Sequence, residues 1–272
     1  MKETAWRFIE TDPLDAYTNM AVDHAILESV AAGKSPPTIR FYRWHPPGIT
    51  IGYFQKINKE IDLEACRRKG IDVVRRLTGG RAVLHRHELT YSVIAPENHP
   101  QVAGTILQSY LAISRGLLAG LKNLGVEGRM VEGAETHRQS TAACFDAPSW
   151  YELVVNGKKL VGSAQTRKRG VLLQHGSVLI KADDDLLFSL LNFSSEQVRR
   201  AARKRFAGKA TCLAAEMNYQ PPFHRVAEAF KAGFMEGLEI QLFDGELTGL
   251  EKKRAGELVD SQYRTRQWNY KR

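Results

Sequence analysis

Cysteine is scarce in this chain, with Cys66, Cys144 and Cys212 the three copies in 272 residues. An odd number at wide spacing makes neither a disulfide framework nor the paired CxxC pattern of a zinc site, and it points to a reducing, cytoplasmic setting. No run of about 18 apolar residues occurs, the length a membrane span requires. The N-terminus, MKETAWRFIETD, carries acidic residues where a secretory leader would be apolar, so no membrane association is expected. The P-loop pattern GxxxxGK[ST] and the HExxH zinc signature are both missing. Helix-turn-helix, zinc-finger and RNP aromatic patterns are missing too, so no nucleic acid partner is expected despite the charge.

What is present is ordinary globular material, 43% hydrophobic and 25% charged. The 39 basic residues exceed the 30 acidic ones, a net charge of +9 that favours acidic partners. Residues 5–11 alternate as a strand, and after Pro13 the spacing of Met20, Ala21, Leu27 and Val30 predicts a helix ending at Gly33. TIRFYRW and GITIGYFQ flank HPPG, which predicts a hairpin. Residues 61–70 read as a helix carrying Cys66. Residues 71–96 read as a strand, a Gly79-Gly80 break and two more strands. A helix over 103–124 follows, with Ile106, Leu107, Leu111, Leu117, Leu118 and Leu121 on its core side. Next come a polar loop over 132–143, which reads as mobile, and a meander through WYELVV, KKLVGSAQTR and VLLQHGSVLI. From residue 183 the pattern turns helical.

These strands mixed with helices predict an α+β fold of mixed β-sheets flanked by helices, with a helical C-terminal portion. We divide it into a main domain over 1–245, its core about 27–245, and a basic C-terminal tail over 246–272 that frays or lies along the surface.

Cys144 sits between that polar loop and a strand, among Ser140, Thr141, Asp146 and Ser149. A thiol titrating near about 8.5 attacks only as thiolate and needs a cationic or basic neighbour. Lys159, beyond the NG turn, is the candidate, with Val161 and Ser163 on its strand face and Lys158 pointing to solvent. His175 is the rival base. Cys66 and Cys212 read as buried small hydrophobes. His85 and His87, with His175, invite a metal, but nothing in the sequence fixes a further ligand, and no metal is expected.

The residues RRLTGGRAVLH (75–85) followed by LTYSV resemble the RRxSGGGAVYH signature of the lipoate–protein ligase and octanoyltransferase superfamily. KLVGSAQ and LLQHGSVLI are similar to its lysine strand and following hairpin. The resemblance spans roughly residues 5–245, and ACFDAPSWYEL points to the cysteine-dependent octanoyltransferase branch. It implies a biotin/lipoate protein ligase-like catalytic domain, with Cys144 and Lys159 as catalytic residues. By the same resemblance the acyl site is formed by Arg76, Thr78, Gly79, Gly80, His85, Gly162, Ser163, Ala164, His175 and Gly176. The implied partners are octanoyl-acyl carrier protein as donor and the glycine cleavage H protein or other lipoyl domains as acceptor. No cofactor is implied, since the donor carries its own phosphopantetheine. Arg81 departs from the signature, where ligases usually have a third glycine. Three alternatives stay open: an amidotransferase moving octanoyl from H protein to other lipoyl domains, an ATP-dependent lipoate ligase, and an acyl-binding protein without catalysis.

Overall fold

The computed structural model describes residues 5–132 and 151–271. The polar loop and Cys144 fall outside the described residues. The first strand, β1 (Ala5–Glu10), leads to helix α1 (Ala16–Ala31), which Asp15 starts by accepting a hydrogen bond from Thr18 N–H. Next come β2 (Thr38–Tyr42), β3 (Gly48–Ile51), the short helices α2 (Ile57–Glu60) and α3 (Leu63–Arg68), and strands β4 (Asp72–Arg75), β5 (Val83–His85) and β6 (Glu88–Pro96). Helix α4 (Ile106–Asn123) begins with a reciprocal cap between Thr105 and Gln108. Strands β7 (Arg129–Glu132), β8 (Tyr151–Val155), β9 (Lys158–Lys168) and β10 (Val171–Leu179) follow. The remaining elements are α5 (Asp184–Ser189), α6 (Glu196–Ala207), α7 (Leu213–Met217), α8 (Phe223–Leu238), β11 (Gln241–Asp244), α9 (Gly249–Leu258), a π-helical turn at Val259–Tyr263, and α10 (Arg266–Asn269).

Among the described residues, eight strands form one mixed sheet in the order β11-β1-β2-β6-β10-β9-β8-β7, and three form a smaller one, β4-β3-β5. The central strands of the larger sheet are buried on both faces, so neighbouring residues of a strand serve different cores. Phe41, Val93 and Leu172 face the layer of α4 and α8, while Tyr42, Ile94 and Leu173 face α1 and α9. The third core joins the small sheet to α5 and α6 through residues such as Ile49, Ile51, Phe188 and Phe206. No helix among the described residues is long and apolar enough to cross a membrane.

Three expectations need correction. TIRFYRW and GITIGYFQ do not form a hairpin: β2 pairs with β1 and β6, whereas β3 crosses to the small sheet, parallel to β4 and antiparallel to β5. Pro and Gly mark the turn but do not dictate which strands pair across it. Ile106, assigned to the core, is 62% exposed at the first turn of α4. The segment expected as a tail over 246–272 does not fray through its described residues, 246–271. Leu258, Val259 and Tyr263 are buried against α1, and the Arg7 guanidinium meets Glu251 of α9 at 2.6 Å and 2.9 Å. Charge-rich composition hid a small set of buried anchors. Cys66 and Cys212 are buried as expected, and burial with Asp62 nearby pushes the Cys66 thiol up to about 12.

Helices α4 and α8 cross backbone to backbone. Gly116 and Gly120 on one meet Gly233 and Gly237 on the other. A methyl group at Gly233 would sit 2.3 Å from Gly120 N, and one at Gly237 would sit 2.3 Å from Gly116 N. Because the obstacle is main chain rather than a movable side chain, Gly233→Ala should separate the helices and cost about 1–3 kcal/mol or more in chemical denaturation. Alanine at solvent-facing Gly256, which meets nothing within 4 Å, should cost little.

His24 of α1 shares a 3.2 Å hydrogen bond with Tyr263 and lies 3.6 Å from Glu28. Burial pushes its imidazole down to about 4; Glu28 opposes the shift, and Lys168, Arg254 and Arg169 add to it. The unfolded chain therefore takes up protons first, as an ordinary histidine titrates near about 6.5. This contribution to stability is complete above that pH and is lost as pH falls toward about 4. Melting temperatures should decline across that window, and His24→Gln should flatten the decline.

Candidate active site

Two sequence neighbours at the end of β4, Arg75 and Arg76, leave the small sheet in different directions and build the site between them. Arg75 is fully buried and donates to main-chain oxygens: Gly52, Tyr53 and Gln55 at 2.8–2.9 Å, Asn269 at 2.7 Å and Trp268 at 3.2 Å. In return, Trp268 Nε1 donates to Arg75 O and Arg75 N donates to Asn269 Oδ1, both at 2.7 Å. The C-terminal helix is thereby stitched to β4 and to the loop after β3.

Arg76 turns toward the large sheet. Its Nη2 donates to the carbonyls of Gly79 at 2.6 Å and Arg81 at 2.8 Å, which shapes the glycine turn. Gly80 takes a φ of +90°, a backbone angle that favours glycine, and its carbonyl lies where a side chain at Gly52 would stand. The remaining Arg76 donors go to Thr50 O, Thr50 Oγ1 and Thr78 Oγ1 at 3.1–3.2 Å. All five donors of this guanidinium are engaged with the protein, so it works as scaffold for the site.

Each threonine oxygen that accepts from Arg76 keeps its own proton to give away. The Thr50 and Thr78 hydroxyls lie 2.9 Å from His85 Nε2 and 2.6 Å from His175 Nε2. With Nδ1 of each ring turned toward a carboxylate, a neutral imidazole would carry its N–H at Nδ1 and turn its Nε2 lone pair to the threonine hydroxyl. His85 Nδ1 is 2.6 Å from Glu88, whose carboxylate also accepts from Thr90 and Ser177. His175 Nδ1 is 3.5 Å from Asp23. Two carboxylate–imidazole pairs are thus joined through one arginine and two threonines. Burial lowers the His175 pKa and outweighs the opposing pull of Asp23; Arg76 and His85 act in the same direction as burial. For Asp23, burial would raise the carboxyl, but the His175 hydrogen bond and the Arg40 charge hold it below its ordinary value. Asp23 also accepts from Arg40 Nη1, Tyr42 and Ser92 at 2.9–3.0 Å.

Above this network lies a narrow cavity of ≈ 30 Å³ between the two sheets. Arg76, His85, Gly162, Ser163, Ala164, His175 and Gly176 line it, seven of the positions expected at an acyl site. Thr78, Gly79 and Gly80 hold the arginine and the turn behind that wall. Gly162 and Gly176 lie on adjacent strands, where a side chain at Gly176 would strike Gly162 O at 2.6 Å and the Tyr91 ring at 2.7 Å. A glycine at 176 therefore lets the two strands and the Tyr91 ring pack closely beside the cavity.

Lys159 is 5% exposed, and its Nζ lies 3.0 Å from Glu152 Oε1, while Lys158 points to solvent as the strand alternation requires. Ser163 is four residues along β9 from it, roughly 13 Å in an extended strand. Cys144 is outside the described residues. Met20, Tyr42, Trp44 and Asp23 were not foreseen. Trp44 stacks on His85 with ring centroids 4.0 Å apart, and Asp23 interrupts the buried side of α1. That acidic interruption of an apolar helix face was the available signal.

Valine at position 78 would leave Arg76 Nε and His175 Nε2 buried without their partner. We expect Thr78→Val to cost about 1–3 kcal/mol in denaturant unfolding, and Thr78→Ser to recover most of it.

Residues 15–235 match the family model described as the lipoyl protein ligase A/B catalytic domain. The chain is 49% identical to octanoyltransferase LipM of Brevibacillus brevis, over 98% of this chain and 99% of that protein. It is 46% identical to octanoyltransferase LipM of Anoxybacillus flavithermus, over the whole of both. Among solved structures, the bipartite lipoate protein ligase of Thermoplasma acidophilum superposes with a TM-score of 0.83 at 26% identity, covering 98% of this chain and 96% of that one. A lipoate-protein ligase A bound with ATP superposes with a TM-score of 0.80 at 26% identity, covering 98% of both chains. The α+β architecture is therefore that of the lipoate ligase catalytic fold.

Proposed function

Because this chain belongs to the lipoyl protein ligase A/B catalytic family, we propose that it is an octanoyltransferase of lipoate biosynthesis that works through an acyl thioester on Cys144. The observation that carries this reading is end-to-end similarity, at 46% and 49% identity, to proteins named octanoyltransferase. The donor is octanoyl-acyl carrier protein, and the acceptor is the lipoyl-accepting lysine of the glycine cleavage H protein.

In the first half-reaction the Cys144 thiolate attacks the octanoyl thioester carbonyl. The new C–S bond forms as the carrier's C–S bond breaks, and the proton from Cys144 passes by way of Lys159 to the departing carrier thiolate. In the second half-reaction the acceptor lysine amine attacks the acyl-Cys144 carbonyl. An amide forms, the C–S bond breaks, and the amine's proton returns through Lys159 to the sulfur. Thioester exchange is nearly isoenergetic and aminolysis runs downhill, so neither ATP nor a bound cofactor is required.

The cavity lined by His85, Gly162, Ala164, His175 and Gly176 takes the acyl chain. Met20 lines it, and the thioether's three rotatable bonds suit that side chain to adjust as the acyl chain enters. The ion pair with Glu152 holds Lys159 at a fixed position on β9. Lys159 is favoured over His175 as the proton carrier because both His175 ring nitrogens already face partners, Thr78 at 2.6 Å and Asp23 at 3.5 Å.

Intact-mass spectrometry after incubation with octanoyl-acyl carrier protein, without ATP, should show an added octanoyl mass. The adduct should be absent from Cys144→Ala and slow to form in Lys159→Ala. An adduct that persists in Cys144→Ala would overturn the nucleophile assignment, and wild-type acylation rates across pH in Lys159→Ala would return the role to His175. A strict need for ATP would instead favour a ligase.

A further inference from the structure

Helix α6, EQVRRAARKRFA, carries five cations and one carboxylate over twelve residues, and Ala202 and Phe206 are its buried anchors. Arg199 and Arg200 reach Glu196 at 2.6 and 3.4 Å, and Arg203 reaches Asp185 at 2.5 Å. Lys204 and Arg205 make no ion pair among the described residues, and both are exposed. Arg199 and Arg203, like Arg200 and Lys204, are like charges four residues apart, an arrangement that weakens a helix. Lys204 and Arg205 complement the helix dipole in the last turn, but the dipole does not account for the whole arrangement.

Its placement does. The chain leaving α6 is bonded directly to the backbone of Lys159: Lys159 N–H donates to Lys209 O at 2.7 Å, and Thr211 N–H donates to Lys159 O at 3.0 Å. On its other flank Phe206 lines a cleft of ≈ 40 Å³ with Arg86, His87 and Lys181 at its rim. Val83 is shared between that cleft and the cavity over His85 and His175. Asp183, Asp184 and Asp185 lie at the same end, and Arg86 and Arg203 engage two of them. The basic helix thus adjoins a cation-rimmed cleft through Phe206, the cleft adjoins the cavity through Val83, and the chain leaving the helix is bonded to the Lys159 backbone.

We infer that α6 is the docking surface for the acidic carrier domain that delivers the acyl thioester, with Arg200, Lys204 and Arg205 meeting carboxylates on that domain. This rests on the octanoyl-transfer reading for the identity of the donor, and on the helix's charge and position for the contact. Charged rims of this kind act mainly on encounter, so their effect fades with salt.

The test is the triple variant Arg200→Glu, Lys204→Glu, Arg205→Glu in the full chain. With octanoyl-acyl carrier protein at low salt, KM should rise about tenfold or more while kcat at saturation holds, and the gap should narrow as salt is added. Turnover of octanoyl-pantetheine, which has the thioester but no protein, should match wild type within about twofold, because no charged surface contributes to its capture. Fluorescence anisotropy with labelled, unacylated carrier protein reads docking directly. Binding to wild type that is lost in the variant supports the inference even where no octanoyl transfer is seen, a result that would sink the functional reading alone. An unchanged KM, equal losses on both substrates, or equal anisotropy binding by wild type and variant would overturn the docking surface.

Discussion

A buried guanidinium must have its donors met, and two consecutive ones at the end of β4 organise the functional half of this molecule. Arg75 gathers main-chain carbonyls from the loop after β3 and from the C-terminal helix. Arg76 gathers those of the glycine turn and sets the direction of two threonine hydroxyls. Those hydroxyls on one side and the carboxylates of Glu88 and Asp23 on the other bracket His85 and His175, which together form the polar floor under the cavity. Sequence resemblance places Arg76 among substrate contacts. The geometry gives it a prior duty, because a cation with every donor engaged stabilises what surrounds it before it can attract anything else.

The main elements of the fold were legible in the sequence because they rest on short-range signals. The helix from Ala16, the strand–glycine–strand run over 71–96 and the meander through β8, β9 and β10 each follow from periodicity and turn chemistry. Long-range choices were not legible. HPPG marks a reversal, but whether β3 pairs with β2 or joins a second sheet depends on β4 and β5, which lie further along the chain. The basic segment 246–272 read as tail because its composition is polar, and the residues that anchor it are few and scattered.

The site divided along the same line. Seven expected positions converge on the cavity, since the glycines and histidines belong to local motifs. Asp23, Arg40 and Tyr42, which support His175 from behind, come from an unremarkable helix and strand, and their value lies entirely in where the fold brings them. The α4–α8 glycines escaped notice for a related reason. Four-residue spacing on each helix has meaning only once both helices are known to cross there.

The link between Arg75 and Asn269 joins positions 194 residues apart in the chain. Closing so long a loop costs chain entropy, though the cost grows only slowly with length. Several hydrogen bonds between Arg75 and the C-terminal helix share that one closure, so the end of the chain works as a clasp on the strand that leads into the glycine turn.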